Sequence, residues 1–341
     1  MTDSDISTLR LGVIGVGGMG ASHVAAIKAT EGLELVAAAD TDTDALNRAV
    51  ADTEALAFAD YAQMFDEVEM DGLVAILPHH LHADIVARAC QLGLPLLKEK
   101  PLARNMAEAR QFVQAAEDSG IILMLATQRR YTPAYASLKD IAASLGHIFL
   151  ARGQYVFRWG RDFAWRGQWE TAGGGALHDM GYHTIDMLNW YLGLPNWVSA
   201  EWSAAAFPQR EYKTDDTAVT MFGYDSGTMG YLLTTWATGP PEEAFYLHGT
   251  EGWARADRSG IKHWDVAGNV ITEAPADADT GVGMRNQVAH FADCIRHNRE
   301  PLSSARVNLL NMAFIEAAYR SAAEEARLDP RTFLPTDPST V

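Results

Sequence analysis

Two polar side chains near the middle of the chain have a spacing that suits acid–base chemistry. Asp179 and His183 lie four residues apart in a helical pattern that follows Gly173-Gly174-Gly175. Both side chains are therefore expected on one helix face, and the glycines would let the backbone approach a ligand closely. A carboxylate beside an imidazole can orient the ring and tune its basicity, which suits proton transfer. The structural alternative is a helix that Asp179 caps and in which His183 is a satisfied core residue.

Lys100 is a third residue placed for chemistry. It follows the apolar stretch Leu94 to Leu97 and precedes Pro101, which ends that strand pattern. A lysine is usually a surface residue, but ligands of α/β sheets lie outside the carboxyl ends of the strands. We therefore expect Lys100 and its neighbour Glu99 to line the ligand crevice.

A glycine-rich loop precedes these residues. The sequence Gly15-Val16-Gly17-Gly18-Met19-Gly20 follows an apolar strand pattern, Leu9 to Ile14, and precedes a helical one, Ala21 to Ala29. In this context Gly15 makes the tight turn, Gly17 admits a pyrophosphate and Gly20 allows close packing of helix and strand. The N–H groups at the helix start, around Gly18 and Met19, would face the phosphates. The motif predicts a bound dinucleotide.

Asp40 lies where it could determine the preference for NAD over NADP. It ends the strand pattern Leu33 to Ala39, about 20 residues beyond the last glycine, where an acidic residue binds a ribose diol. The alternative is that Asp40 caps a helix that begins near Asp44. Three carboxylates in Asp40-Thr41-Asp42-Thr43-Asp44 would repel the 2′-phosphate of NADP, so the predicted cofactor is NAD.

The first part of the chain predicts a parallel, doubly wound sheet, because strand and helix patterns alternate. The further patterns are strands at Ala55 to Ala59, Gly72 to Leu77, Leu94 to Leu97 and Ile121 to Ala126, with helices at Ala83 to Leu92 and Met106 to Ser119. Leu77, His82 and Gln128 lie at or just after strand ends and complete the predicted cofactor contacts. His79, His80 and His82 suggest zinc as an alternative, but no cysteine accompanies them, so we expect no metal.

Composition limits the possible partners. The 341 residues carry a formal net charge of −17 and only two cysteines, Cys90 and Cys294. Without a basic stripe, nucleic acid and anionic membrane surfaces are not expected as partners. No apolar run is long enough to span a bilayer, and the acidic first residues do not resemble a secretory signal. We expect a cytoplasmic protein.

After Thr127 the alternation stops and strands dominate. Strand patterns occur at Phe149 to Phe157, Trp197 to Phe207, Ala218 to Tyr224, Thr228 to Trp236, Ala244 to Leu247 and Trp253 to Asp257, and helices at Arg285 to His297 and Val307 to Arg327. This composition predicts an α+β domain with an open, mostly antiparallel sheet. The predicted domains are residues 1–127, which bind the dinucleotide, and residues 128–341, which bind the substrate and form oligomers.

The segment from Arg158 to Trp169 holds three tryptophans and three arginines. Tryptophan rings stack on sugar faces and arginine donates to hydroxyls or carboxylates, so Trp165 and Arg166 are candidate substrate contacts. The alternative is a loop packed against the rest of the protein. Arg129 and Arg130 could likewise form salt bridges or bind the substrate. Of the two, Arg130 is the predicted substrate contact.

These motifs resemble the Gfo/Idh/MocA family of oxidoreductases (glucose–fructose oxidoreductase, inositol dehydrogenase and rhizopine catabolism). Four stretches carry the resemblance: Gly15 through Gly20, Glu99-Lys100-Pro101, Gln128 through Pro133, and Gly173 through Asp186. The chain departs from the family where it has Leu77-Pro78-His79, since Thr-Pro-Asn is frequent there.

The resemblance implies an NAD(P)-dependent oxidoreductase that acts on a sugar, polyol or related hydroxylated ring. It implies that Lys100, Asp179 and His183 are catalytic, and that the outer face of the second sheet mediates homo-oligomers. Two alternatives remain at this point. One is a lyase or glycosidase of the same fold that retains NAD and works through a transient ketone. The other is a sugar sensor that binds the dinucleotide without catalysis.

Overall fold

A six-stranded parallel sheet forms the first part of the protein. The computed structural model describes residues 8–335. The strands are β1 (Leu9–Ile14), β2 (Leu33–Ala39), β3 (Leu56–Phe58), β4 (Gly72–Ala75), β5 (Leu96–Glu99) and β6 (Leu123–Ala126), in the order β3-β2-β1-β4-β5-β6. All residues of β4 and β6 are buried. Strands that are apolar on both faces require cover on both faces, which explains the parallel arrangement with helices between the strands.

The helices of this part connect consecutive strands, with one exception. They are α1 (Met19–Lys28), α2 (Thr43–Val50), α3 (Tyr61–Glu67), α4 (His82–Leu92), α5 (Met106–Ser119) and, much later in the chain, α10 (Val282–His297). Helix α10 packs against α1. A helix from the end of the sequence therefore completes the layers around the first sheet.

An eight-stranded sheet dominates the second part. Its strands are β7 (Ile148–Arg158), β8 (Trp197–Ser203), β9 (Thr217–Gly223), β10 (Met229–Thr235), β11 (Ala237–Gly249), β12 (Gly252–Asp257), β13 (Gly260–Asp265) and β14 (Val270–Pro275). Their order is β14-β13-β12-β11-β7-β10-β9-β8, and only β7 and β10 pair in parallel. The predicted fold class, a doubly wound α/β sheet followed by an α+β domain with a mostly antiparallel sheet, is confirmed.

Helices cover one face of the second sheet. They are α6 (Pro133–Ala142), α7 (Trp169–Ala172), α8 (Ala176–Asp179), α9 (Gly181–Leu192) and α11 (Ala305–Glu324). The sequence patterns did not predict α6, β13 or β14. Every residue of β14 is exposed, so this edge strand has no buried alternation from which it could be recognised.

The helical pattern that contains the candidate catalytic residues is not one helix. Helix α8 ends at Asp179 and α9 begins at Gly181, with Met180 between them. The expectation that Asp179 and His183 share one continuous helix face is therefore wrong. Asp179 ends the first short helix, and His183 lies in the first turn of the second.

The chain passes more than once between its two compact units. The first unit comprises the residues up to Glu99, Gln111–Gln128 and Asp279–Ala305, and the second comprises Lys100–Arg110, Arg129–Ala278 and the residues from Arg306 on. This division differs from the domains inferred from sequence, 1–127 and 128–341, at residues 100–110, at residue 128 and at residues 279–305. In particular, Lys100 belongs to the second unit. No helix between residues 8 and 335 is long and apolar enough to span a membrane.

Candidate active site

The glycine-rich loop between β1 and α1 has the geometry of a dinucleotide-binding turn. Gly15 has φ +79°, and a Cβ atom there would collide with the carbonyl of Ile76. A Cβ atom on Gly20 would collide with the carbonyl of Gly15. Gly17 and Gly18 face open space, with only the Asp40 carboxylate 4.0 Å from a Cβ at Gly17. The loop is closed against the sheet at its ends and open at its centre.

The residues at the start of α1 fit a bound pyrophosphate. No side chain caps this helix and its first turn contains no acidic residue, so its first N–H groups have no competing carboxylate. Met19, the first helical residue, is 44% exposed. Because the central glycines leave space beside these donors, phosphate oxygens could approach the backbone there.

Asp40 lies beside the glycine-rich loop. Its Oδ2 accepts hydrogen bonds from Val16 N at 2.7 Å and from Gly17 N at 3.2 Å. Asp42, not Asp40, caps α2, because its Oδ1 accepts from Asp44 N and Ala45 N, both at 3.0 Å. The alternative role of Asp40 as a helix cap is therefore wrong. Its carboxylate tethers the loop at the end of β2, where a ribose diol would lie.

Lys100, Asp179 and Arg166 form a buried charge cluster in the second unit. Lys100 Nζ contacts Asp179 Oδ1 and also donates to the Asp179 carbonyl at 3.1 Å. Arg166 Nε donates to the other carboxylate oxygen, Oδ2, at 2.9 Å. The side chain of Asp179 is 3% exposed and that of Lys100 is 10% exposed. One carboxylate thus serves two cations, which leaves a net positive charge at this point.

His183 is buried beside this cluster. Its Nδ1 has no hydrogen-bond partner among residues 8–335, and both oxygens of Asp179 are engaged by the two cations. Asp179 therefore makes no hydrogen bond to Nδ1 of the imidazole, and its predicted effect on the ring is electrostatic, since its charge counteracts part of the lowering of the His183 pKa. The ring instead packs edge-on against Tyr155, with centroids 5.8 Å apart. Burial and the charge of Lys100 hold the pKa of His183 well below 6.5, so the ring is neutral and able to accept a proton.

The three glycines before α8 serve the protein's own packing. A Cβ atom on Gly173 would collide with the backbone of Arg104, and one on Gly175 with the backbone of Asp215. Gly173 has φ +80°, which favours glycine. We had expected these glycines to admit a ligand. They instead bring the start of α8 against neighbouring protein segments.

Asp215 holds the start of α8 in place, and sequence patterns gave no sign of this. Its carboxylate accepts from Gly175 N at 2.8 Å, from Leu177 N at 2.7 Å and from the hydroxyl of Tyr319 at 2.7 Å. The preceding Thr214 donates through its hydroxyl to the carbonyl of Arg166 at 2.8 Å. The same short segment therefore positions Arg166 and the helix that ends at Asp179. The only signal in the sequence was a run of polar residues just before a strand.

Both arginines after β6 form salt bridges. Arg130 donates to Asp186 through Nε and Nη2, at 3.0 and 2.7 Å, and its side chain is 2% exposed. This burial and pairing speak against the predicted role of Arg130 in substrate binding. Arg129 contacts both carboxylate oxygens of Glu243. The sequence did not single out Glu243.

Within the tryptophan-rich segment from Arg158 to Trp169, Phe163 and Gly167 are buried, and the other residues are half-buried or exposed. Phe163 and Trp236 are buried together, and Trp159 packs on both. Two tryptophans of this segment contact the charge cluster through Arg166, whose guanidinium lies 4.2 Å from the centroid of the Trp165 ring and 5.1 Å from that of the Trp159 ring while its Nε binds Asp179. Phe163 thus packs within the protein as the structural alternative expected, whereas the substrate contacts of Trp165 and Arg166 stay predictions.

The remaining predicted cofactor contacts lie at strand ends of the first unit. Buried His82 hydrogen-bonds through Nε2 to the carbonyl of Leu77 at 3.0 Å. Glu99 ends β5, and Gln128 begins a short 3-10 helix after β6. Their contacts with a cofactor remain predictions. Within residues 8–335, no group of three or more His, Cys, Asp or Glu side chains is arranged to hold a metal ion.

Comparisons with known proteins agree with this architecture. Residues 9–127 match the oxidoreductase family model with an NAD-binding Rossmann fold, and residues 136–255 match the GFO/IDH/MocA C-terminal domain. The rhizopine catabolism protein MocA of Rhizobium meliloti is 30% identical over 257 residues, which cover 74% of this chain and 79% of MocA. Levoglucosan dehydrogenase of Pseudarthrobacter phenanthrenivorans is 31% identical over 222 residues, which are 57% of each chain.

A solved structure extends the similarity to nearly the whole chain. A levoglucosan dehydrogenase in complex with NADH and L-sorbose superimposes with a TM-score of 0.87 at 25% identity, over 95% of this chain and 99% of that one. The family and the NAD cofactor predicted from the sequence are confirmed. The chain belongs to the Gfo/Idh/MocA family of NAD-dependent oxidoreductases.

Proposed function

We propose that this protein is an NAD-dependent dehydrogenase that oxidises a secondary alcohol of a sugar, a cyclic polyol such as inositol, or a glycoside. The observation that carries the proposal is the buried, neutral His183 beside the pair of Lys100 and Asp179. The relatives support it, since the levoglucosan dehydrogenase structure contains a sugar and NADH. A cytoplasmic location stays a prediction from the sequence.

In the proposed reaction His183 takes the proton of the substrate hydroxyl. The neutral imidazole is available because burial and the nearby cations disfavour its charged form. Lys100 has three N–H donors, of which Asp179 receives two through its Oδ1 and carbonyl oxygens. The third can donate to the substrate oxygen and stabilise the developing alkoxide. NAD, when bound, supplies the hydride acceptor.

Asp179 and Arg166 keep Lys100 in place for this role. Because Asp179 accepts from both cations, it fixes the ammonium and the guanidinium relative to each other. Arg166 and Trp165 are the proposed substrate contacts beside the reacting groups. The cofactor contacts proposed for Gly15 through Gly20 and Asp40 follow from the open loop and the uncapped helix start.

A screen of NADH formation tests the proposed function. Inositols, aldoses, uronates and glycosides are each supplied together with NAD. The formation of NADH is followed by its absorbance. On a substrate that reacts, His183→Ala should lower kcat by a factor of about 10² to 10⁴ and leave NAD binding nearly unchanged. Lys100→Met should do similar damage and also weaken substrate binding. The double variant should be little worse than the poorer single one, because the two groups act as a unit.

Two results would contradict the proposal. Full activity of either single variant on the true substrate would move the chemistry to other residues. A product that forms only with NAD, but without net NADH, would instead identify the NAD-retaining lyase or glycosidase alternative.

We also propose that the uncovered face of the second sheet mediates homo-oligomers. The exposed or half-buried side chains of β9 and β10 on this face are largely apolar: Val219, Met221, Met229, Tyr231 and Leu233. Such a patch is larger than isolated surface hydrophobic residues would form.

A further inference from the structure

A second group of charged side chains lies near His183 and has no part in the proposed proton transfer. Glu243 contacts Arg129 through both oxygens, and its Oε2 also accepts from Arg258 Nε at 3.3 Å. Arg258 Nη2 donates to the hydroxyl of Tyr155 at 3.2 Å. We call these four residues, Arg129, Tyr155, Glu243 and Arg258, the Glu243 group.

The Glu243 group is adjacent to the reacting histidine. Tyr155 joins the two, because its ring packs against His183 with centroids 5.8 Å apart and its hydroxyl binds Arg258. The charges of Arg129 and Arg258 contribute to the lowered pKa of His183, after burial and Lys100. The group therefore acts electrostatically on the same small region as the proposed substrate.

The charges of this region do not balance. Glu243 is one carboxylate for two guanidinium groups, just as Asp179 is one carboxylate for Lys100 and Arg166. Each set has one positive charge in excess, in a chain whose net charge is −17. The positive charge in excess beside Asp179 would stabilise the negative charge that develops on the substrate oxygen in the proposed reaction. The excess in the Glu243 group has no such use, since none of its members is placed on the reacting atoms.

Arg258 is the member that a ligand could reach. Its side chain is 56% exposed, whereas those of Arg129 and Glu243 are 18% and 3% exposed. Of its five N–H donors, one goes to Glu243 and one to Tyr155, which leaves three without a partner among residues 8–335. A guanidinium with free donors and an uncompensated charge favours a carboxylate, which it can bind through two parallel hydrogen bonds.

We propose that the substrate is an acidic sugar, and that Arg258 receives its carboxylate. This inference rests on the proposed function, because it names the substrate class for the same site. Arg129 and Glu243 fix the orientation of Arg258 and do not contact the ligand. A uronate or a similar carboxylated sugar is therefore preferred over the neutral sugar of the same shape.

The test compares carboxylates with uncharged isosteres. We measure kcat/KM for D-glucuronate and D-galacturonate against D-glucuronamide and D-galacturonamide, and the binding of all four to the NADH-loaded protein by calorimetry. The variants are Arg258→Gln and Arg255→Gln. Arg255→Gln is the control, because it makes the same substitution at an arginine of β12 that pairs with Asp257. The wild type and Arg255→Gln should favour at least one uronate over its amide by about tenfold or more. The preference should vanish in Arg258→Gln and shrink as salt increases.

The outcomes separate this inference from the proposed function. If no uronate binds or reacts better than its amide, the inference is wrong even where neutral sugars are oxidised. If Arg258→Gln lowers binding and kcat/KM equally for the carboxylate and for the amide, Arg258 acts on His183 and not on the ligand. The inference is then again wrong. If no sugar is oxidised at all, the proposed function fails, and calorimetry still decides whether the site selects a carboxylate.

Discussion

Asp179 has a different task from the one that its position in the sequence suggests. Its two oxygens are engaged by Lys100 and Arg166, so it pairs with cations, and its effect on the imidazole is electrostatic. Removing one partner of a buried ion pair usually costs more than the pair itself contributes, because the other charge is left uncompensated. We therefore place Asp179 with the groups that set the position and charge of Lys100.

The state of His183 leads to a prediction about pH. Burial and Lys100 lower the pKa of His183, so its neutral, proton-accepting form persists below pH 6.5. We expect kcat/KM to stay level as the pH falls through 6.5 and to decline only at more acidic values, since this profile reports the free enzyme. Circular dichroism at each pH controls for acid unfolding. A decline centred at or above pH 6.5, with the protein still folded, would show that another group is titrating.

Asp40 leads to a prediction about cofactor choice. Its carboxylate already accepts hydrogen bonds from two N–H groups of the glycine-rich loop, and Asp42 and Asp44 follow it closely in sequence. A 2′-phosphate would meet like charge there, whereas a diol can donate to a carboxylate. We expect NAD to be preferred over NADP, and Asp40→Ser with Thr41→Arg to reduce that preference. Steady-state kinetics with both cofactors measure it, and a wild-type preference for NADP would refute the argument.

At the scale of elements, the short helix α8 is held by a carboxylate from a distant part of the chain. Asp215 binds Gly175, Leu177 and Tyr319. An asparagine retains one oxygen and adds a donor, so Asp215→Asn leaves at least one buried N–H without its acceptor. We expect a loss of about 1–3 kcal/mol in the free energy of unfolding. We also expect kcat to fall by about 10- to 100-fold, because α8 carries Asp179.

The matched control for Asp215→Asn is Asp329→Asn. Asp329 also accepts a backbone N–H, from Arg331 at 2.9 Å, but at a 3-10 helix remote in sequence from the charge cluster. Thermal unfolding and kcat are measured for both variants. If both lose stability alike while kcat is unchanged in each, Asp215 stabilises the fold without positioning the catalytic groups.

Sequence patterns predicted well those elements whose formation depends on the residues within the element itself. Strands β1 and β2 and helix α5 have the bounds expected from sequence, because β1 and β2 are short, largely apolar runs and the burial of α5 repeats with the helical period. The break at Met180 could not be predicted in this way. Met180 itself has helical angles, φ −90° and ψ −31°, and the contacts that fix α8 come from Asp215. The ion pairs of Glu243 and of Asp179 were missed for the same reason, since their partners are far apart in sequence.

At the scale of the whole molecule, residues 8–335 leave one largely apolar face of the second sheet uncovered. Met221 and Met229 are 53% and 58% exposed. Replacing both with lysine would place charges in the proposed interface, so we expect the double variant to have a smaller mass in solution than the wild type. Size-exclusion chromatography with light scattering measures this, with the exposed Val266→Lys as the control. A wild type that is already monomeric at micromolar concentration would exclude the interface.

The position of Lys100 has a consequence for recombination between related enzymes. The residues up to Glu99 belong to the first unit, and Lys100 begins a short segment of the second, which holds its partner Asp179. A chimera that takes its cofactor unit from a relative as one block up to residue 127 would therefore also import a foreign lysine segment into the recipient's charge cluster. A crossover after Glu99, with Lys100–Arg110 kept from the recipient, is expected to exchange the dinucleotide specificity and to leave the proposed proton-transfer groups with the residues that position them.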